Sequence, residues 1–138
     1  MSKRILVVDD HDVVRQGVRL ILRNQPDCEI VAEADNGEDA IEKILSLKPD
    51  LVILDIGMPG KDGLAVLREV AAPDFPHRPK VLILSMHESN DLGAKIKSSG
   101  GHGYVVKTRA ARDLNRAIST IFEGGTYFED VKAEPVAR

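Results

Sequence analysis

Four short runs of branched apolar residues restrict the fold more than any other feature of the chain: "RILVV" (4–8), "LVIL" (51–54), "VLIL" (81–84) and "GYVV" (103–106). Each is too short for a helix and apolar without alternation, as a strand covered on both faces should be. A fifth run, "EIVAEA" (29–34), alternates more and reads as a strand nearer the sheet edge. Helical spacing fills the gaps. Val14, Val18, Ile21 and Leu22 share one helix face. Ala40, Ile41, Ile44 and Leu45 repeat the pattern behind Asn36, an N-cap candidate with Asp39 three residues on. Leu64, Leu67 and Val70 give a third helix that stops before Pro73, and "APDFPHRP" (72–79) is a loop. Leu114, Ile118, Ile121 and Phe122 give the last, closed by Gly124 and Gly125. "SNDLGAKIKSSGG" (89–101) is the weakest helix, with Gly93 inside it and a thin apolar face, and is expected to be the most mobile segment. Strand and helix thus alternate five times, which implies one parallel sheet with helices on both faces.

At 138 residues the chain suits one compact domain. With 43% hydrophobic and 30% charged residues it has a globular profile, and a net charge of −3 gives no call for nucleic acid or an anionic membrane. Apolar runs stay strand-sized, so no membrane span or signal segment is expected. The single cysteine, Cys28, excludes an intramolecular disulfide and suits a reducing cytoplasm.

In an open α/β sheet, ligands bind beyond the carboxyl ends of the strands. The first strand ends in Asp9 and Asp10, the third in Asp55, the fourth in Ser85, and Lys107 follows the fifth. Three carboxylates on one rim suit a hard divalent cation such as Mg²⁺, with Lys107 as the remaining nearby positive charge. Asp55 differs in being followed by the flexible turn "IGMPGKDG" (56–63), which would leave its carboxylate exposed beside the metal. A carboxylate there is a candidate nucleophile toward phosphorus, with the cation, Lys107 and Ser85 stabilising the transferring phosphoryl group. His11, beside Asp9, Asp10 and Asp12, reads as a surface polar residue, with help to a softer metal the lesser reading. The four histidines have no zinc-type spacing. The late helices are basic through Lys95, Lys97, Lys107, Arg109, Arg112 and Arg116, which reads as a solvated face.

"VVDD", "LVILDIGMPGKDG", "LILS" and "GYVVK", in that order, resemble the receiver domain of two-component response regulators over about residues 3 to 123. The resemblance implies a flavodoxin-like (βα)5 three-layer sandwich, with a parallel five-stranded sheet in the order 2-1-3-4-5, over residues 1–123. Residues 124–138 would form a linker stub or disordered tail. It also implies site roles: Asp55 as phosphoacceptor and metal ligand, Asp10 as direct ligand of Mg²⁺ (or Mn²⁺), and Asp9 reaching the metal through water. The Gly57 carbonyl would be a further ligand, Lys107 and Ser85 phosphate contacts, and Ser85 and Tyr104 the switch pair. A sensor histidine kinase would be the phosphodonor. A homodimer or effector would read the surface of helix 4, strand 5 and helix 5. No enzyme activity is implied beyond gain and loss of the chain's own phosphoryl group.

"VVDDH", "MPGKDG", "HGYVVK" and "EGGTYF" are most similar to the subfamily with a C-terminal LuxR-type helix-turn-helix output domain. Transcriptional regulation, with DNA contacted only through such a domain, is the implied output; the alternative is a stand-alone or phosphorylation-independent receiver acting by binding. The chain departs from the family pattern at Gly57 and His87, positions that tune phosphoryl hydrolysis, at Thr108, where a proline is common, and at Gly101, expected to loosen the loop before strand 5. A phosphatase with an aspartyl nucleophile usually has a second acid two residues on, where this chain has Gly57. A flavin site is opposed by "DDHD" (9–12), which would repel its phosphate.

Overall fold

The computed structural model describes residues 2–87 and 89–128. Their order is β1 (Lys3–Val8), α1 (Asp12–Leu22), β2 (Cys28–Ala34), α2 (Gly37–Leu47), β3 (Leu51–Asp55), α3 (Gly63–Ala71), β4 (Lys80–Ser85), α4 (Asn90–Ser98), β5 (Gly103–Val106), a 3₁₀ turn (Lys107–Arg109), α5 (Ala110–Phe122) and β6 (Tyr127–Phe128). The strands form one parallel sheet in the order β2-β1-β3-β4-β5-β6.

The expected order 2-1-3-4-5 holds, but the sheet has six strands rather than five. Gly103 and Tyr104 of β5 pair with Tyr127 and Phe128. Two residues leave no period for a sequence pattern to register, and the preceding Gly124 (φ +98°) turns the chain back after α5. Part of the segment expected as a tail is therefore bonded to the sheet edge; residues 129–138 of that expectation lie outside the described residues.

The uninterrupted apolar strands serve two cores. Leu6, Val8, Val52, Leu54, Val81 and Ile83 point to one side, where Ala40, Ile44, Val66, Leu67, Val70 and Ile96 from α2, α3 and α4 meet them. Ile5, Val7, Leu51, Ile53, Leu82, Leu84 and Val105 point to the other, against Val18, Leu22, Leu114, Ala117, Ile118 and Ile121 from α1 and α5. Period-2 side-chain alternation explains why neither face of the central strands could be polar.

Helix starts follow the expected chemistry. Asn36 caps α2 by accepting from the Asp39 N–H at 2.8 Å; Asp62 caps α3 and Ser89 caps α4 in the same way. In α4, Ile96 is the fully buried side chain among the described residues, so this helix is anchored by little apolar area. Gly101 corrects an expectation. Its N–H donates to the Ile96 carbonyl at 2.9 Å, and a Cβ at this position would stand 2.5 Å from Ile96 Cγ2. It closes the end of α4 tightly instead of loosening it.

Candidate functional site

Strand termination brings the predicted residues together at the carboxyl edge. Asp9 and Ser85 are wholly buried; Asp55, expected to be exposed, is nearly so too, while Asp10 keeps a quarter of its side chain in solvent. Lys107, directly after β5, reaches across the rim: its Nζ stands 2.9 Å from Asp9 Oδ2 and 3.0 Å from Asp55 Oδ1. Burial pulls the Lys107 pKa down. The hydrogen bonds and charges of Asp9 and Asp55 outweigh that and hold it above the ordinary lysine value.

Asp55 Oδ1 also accepts the Gly57 N–H at 3.1 Å, so both of these contacts fall on one carboxylate oxygen. The turn that presents Asp55 is constrained from behind. A Cβ on Gly63 would lie 2.3 Å from the Asp55 carbonyl oxygen, so only glycine lets α3 begin this close to the end of β3.

Asp9, Asp10, His11 and Asp55 each offer a ligand atom, all within 4.8 Å of one another. The His11 N–H donates to Asp9 Oδ1 at 2.9 Å, and its Nδ1 lies 3.1 Å from Asp10 Oδ1 although the side chain is largely exposed. The sequence placed His11 on the surface; it is both exposed and in contact with the acidic cluster. Asp10 Oδ1 is shut off from solvent and accepts no well-formed hydrogen bond among the described residues. A buried carboxylate oxygen in that state is a fit for a cation, and a donor set dominated by carboxylates suits a hard one. Charge balance also involves Arg15 of α1, which sequence reading missed. Its Nη1 donates to the Asp9 carbonyl at 2.6 Å, and the one available signal was its i,i+3 spacing from Asp12.

The switch candidates form a second, adjoining group. Ser85 Oγ accepts the His87 N–H at 3.0 Å. Tyr104 is 4% exposed, and its hydroxyl donates to the carbonyl of the same His87. The ring lies against α4, where a Cβ on Gly93 would meet Tyr104 Cδ2 at 3.5 Å. No helix among the described residues is long and apolar enough to cross a membrane.

The family model for the response regulator receiver domain matches residues 5–119. Among curated proteins, the transcriptional regulatory protein DegU of Brevibacillus brevis is 34% identical over 90% of the chain and 52% of its own length. The oxygen regulatory protein NreC of Staphylococcus epidermidis is 38% identical over 91% of the chain and 57% of its own length. The chain thus spans about half the length of these relatives. Among solved structures, a LuxR-family two-component response regulator from Aurantimonas sp. superposes with a TM-score of 0.84 at 31% identity, covering 92% of this chain and 89% of that one. On the family match and on these identities, the chain belongs to the response regulator receiver domains of two-component signalling.

Proposed function

We propose that this receiver takes a phosphoryl group onto Asp55 and that the modification alters the surface around Tyr104 and α4. The observation that carries the reading is the Lys107 ammonium held between Asp9 and Asp55, at 2.9 and 3.0 Å, on the rim where three strands end. Lysine there compensates the carboxylates at rest and faces an incoming phosphoryl oxygen during transfer. Two contacts fall on Asp55 Oδ1, so Oδ2 is the oxygen assigned to attack. With a phosphohistidine donor, an Asp55 O–P bond forms as the donor's N–P bond breaks, and the imidazole departs with the electron pair and takes up a proton.

Asp10, Asp55, Asp9 (through water) and the Gly57 carbonyl are assigned to hold Mg²⁺ or Mn²⁺. When bound, that cation would neutralise charge on the phosphoryl oxygens. The acylphosphate brings about two negative charges and strong acceptor oxygens to the rim. Ser85, whose Oγ now accepts from His87, would turn to donate to one of them. That frees the His87 N–H and disturbs the segment that Tyr104 grips, so phosphate favours one arrangement of β4 to α4 over another. A sensor histidine kinase is the proposed donor. A dimer or effector contact on α4, β5 and α5 is the proposed readout, and regulation of transcription through a DNA-binding output domain is the proposed outcome. A cytoplasmic setting follows from that pairing.

The test is intact mass after incubation with Mg²⁺ and acetyl phosphate, for the native chain and for Asp55→Asn. A phosphoryl adduct that requires Mg²⁺ and is absent from the variant supports the reading. No adduct, with a histidine kinase donor failing as well, would overturn it in favour of a receiver that acts by binding alone.

A further inference from the structure

Asp9 and Asp10 are joined by one peptide group, and the carbonyl of that group is not left to solvent. Arg15, one turn into α1 and 16% exposed in its side chain, spreads its guanidinium over three elements. Nη1 donates to the Asp9 carbonyl at 2.6 Å, Nε to Glu33 Oε1 of β2 at 2.8 Å, and Nη2 to Asp12 Oδ1 at 3.0 Å. Glu33 is itself fixed: Arg19 pairs with its other carboxylate oxygen, and Lys43 of α2 donates to its backbone carbonyl at 2.6 Å. Burial raises the Glu33 pKa, but hydrogen bonds from Arg19 and Arg15 outweigh burial and hold it below the ordinary carboxylate value, so the tether is charged at neutral pH.

The geometry points to Arg15 as a positioning residue for the cation site. A peptide group is planar, so anchoring the Asp9 carbonyl fixes the plane from which the Asp10 Cα departs. The Asp9 N–H is held separately by the Ala34 carbonyl at 3.0 Å, and its side chain by His11 and Lys107. The N–H, the carbonyl and the side chain of Asp9 are thus each held by a different partner. The Cα of Asp10 inherits that placement directly, and its carboxylate, with one oxygen buried and in no well-formed hydrogen bond among the described residues, starts from that fixed point. Arginine suits the task because its planar fork makes three directed bonds at once, which a lysine cannot. Among the described residues the bonds of Arg15 go to Asp9, Asp12 and Glu33 and none to Asp10, so its effect runs through the peptide it holds.

This inference rests on the cation reading of the acidic cluster given above, and its test separates the two. Mg²⁺ binding to the full chain is measured by titration calorimetry at fixed ionic strength for the native protein, Arg15→Ala and Arg15→Met, with Tm recorded in EDTA. Removing a positive charge beside a cation site would, by charge alone, tighten binding. Lost positioning acts in the opposite sense and raises Kd by about tenfold, the scale on which groups behind a ligand act. The sign of the change is therefore the readout. A raised Kd supports the inference. An unchanged or lowered Kd overturns it, because an arginine with a purely structural role would lower Tm and leave Kd alone. Should Arg15→Ala fail to fold, Arg15→Met, which keeps the aliphatic stem and helix propensity, decides by the same criterion. If the native chain binds no Mg²⁺, the cation reading itself fails and takes this inference with it.

Discussion

The hydroxyl of Tyr104 donates to the backbone carbonyl of His87, tying the middle of β5 to the turn that leaves β4. The same His87 gives its N–H to Ser85 Oγ, so one residue connects the rim hydroxyl to the buried aromatic. Replacing Tyr104 by Phe removes the bond from its hydroxyl to the His87 carbonyl. We expect a loss of about 1 kcal/mol in stability, the usual net worth of a hydrogen bond, with phosphorylation of Asp55 retained and its effect on downstream contacts weakened. Urea unfolding alongside phosphorylation kinetics checks this. Equal stability, or loss of the adduct, would count against the connection.

Lys107 is the cation common to Asp9 and Asp55. Lys107→Ala leaves the wholly buried Asp9 without it, which should cost about 3 kcal/mol in metal-free buffer, as breaking one side of a buried ion pair does. Mg²⁺ should restore part of that loss, since it supplies positive charge at the same rim. Because the folded Lys107 pKa is raised, its contribution is complete below the ordinary lysine value and disappears as pH rises through the higher folded one. Native and variant stabilities should therefore converge at strongly alkaline pH. Unfolding curves in EDTA and in Mg²⁺, each across pH, give the answer.

His102 accepts the Val81 N–H on Nδ1 at 3.1 Å, a bond available only while that nitrogen is unprotonated. Burial, with help from Lys80, holds its pKa below the ordinary histidine value. The contribution is thus present above the unfolded pKa and lost as pH falls from there through the folded one. Native stability should decline on acidification below about pH 6.5, the unperturbed histidine value, and His102→Gln should remove that part of the slope. An identical pH profile in the variant would assign the decline to other groups.

Gly63→Ala places a methyl group 2.3 Å from the Asp55 carbonyl oxygen. Backbone on both sides must shift, at about 1–3 kcal/mol, the scale of overpacking. The carboxylate of Asp55 should move with its own backbone, slowing its phosphorylation more than the loss of stability explains. Tm and the initial rate of adduct formation, measured on the same preparation, check both statements.

The layers and the strand-end residues were legible because each rests on a local signal, whereas the strand order came only with the family resemblance. Continuous branched runs mark strands with two covered faces, and strand ends in such a sheet meet on one rim. What escaped the sequence was mostly relational. Nothing local shows that Gly101 packs against Ile96, or that the Arg15 fork joins the Asp9 peptide after β1 to β2 and α1. His11 was placed correctly at the surface, but its contact with two carboxylates depends on how the chain turns after Asp10. β6 is held by pairing with β5 and by no periodicity of its own.

The alternation of side chains along β5 sends Tyr104 into the core shared with α2, α3 and α4, and Val105 into the core shared with α1 and α5. The sheet therefore works as a partition between two insulated compartments, with the chemical site on the edge where both open. A displacement of Tyr104 begins in one compartment only. The surface of α1, on the far side of the sheet, is free to stay the same for whatever approaches Asp55, whichever way the aromatic ring lies.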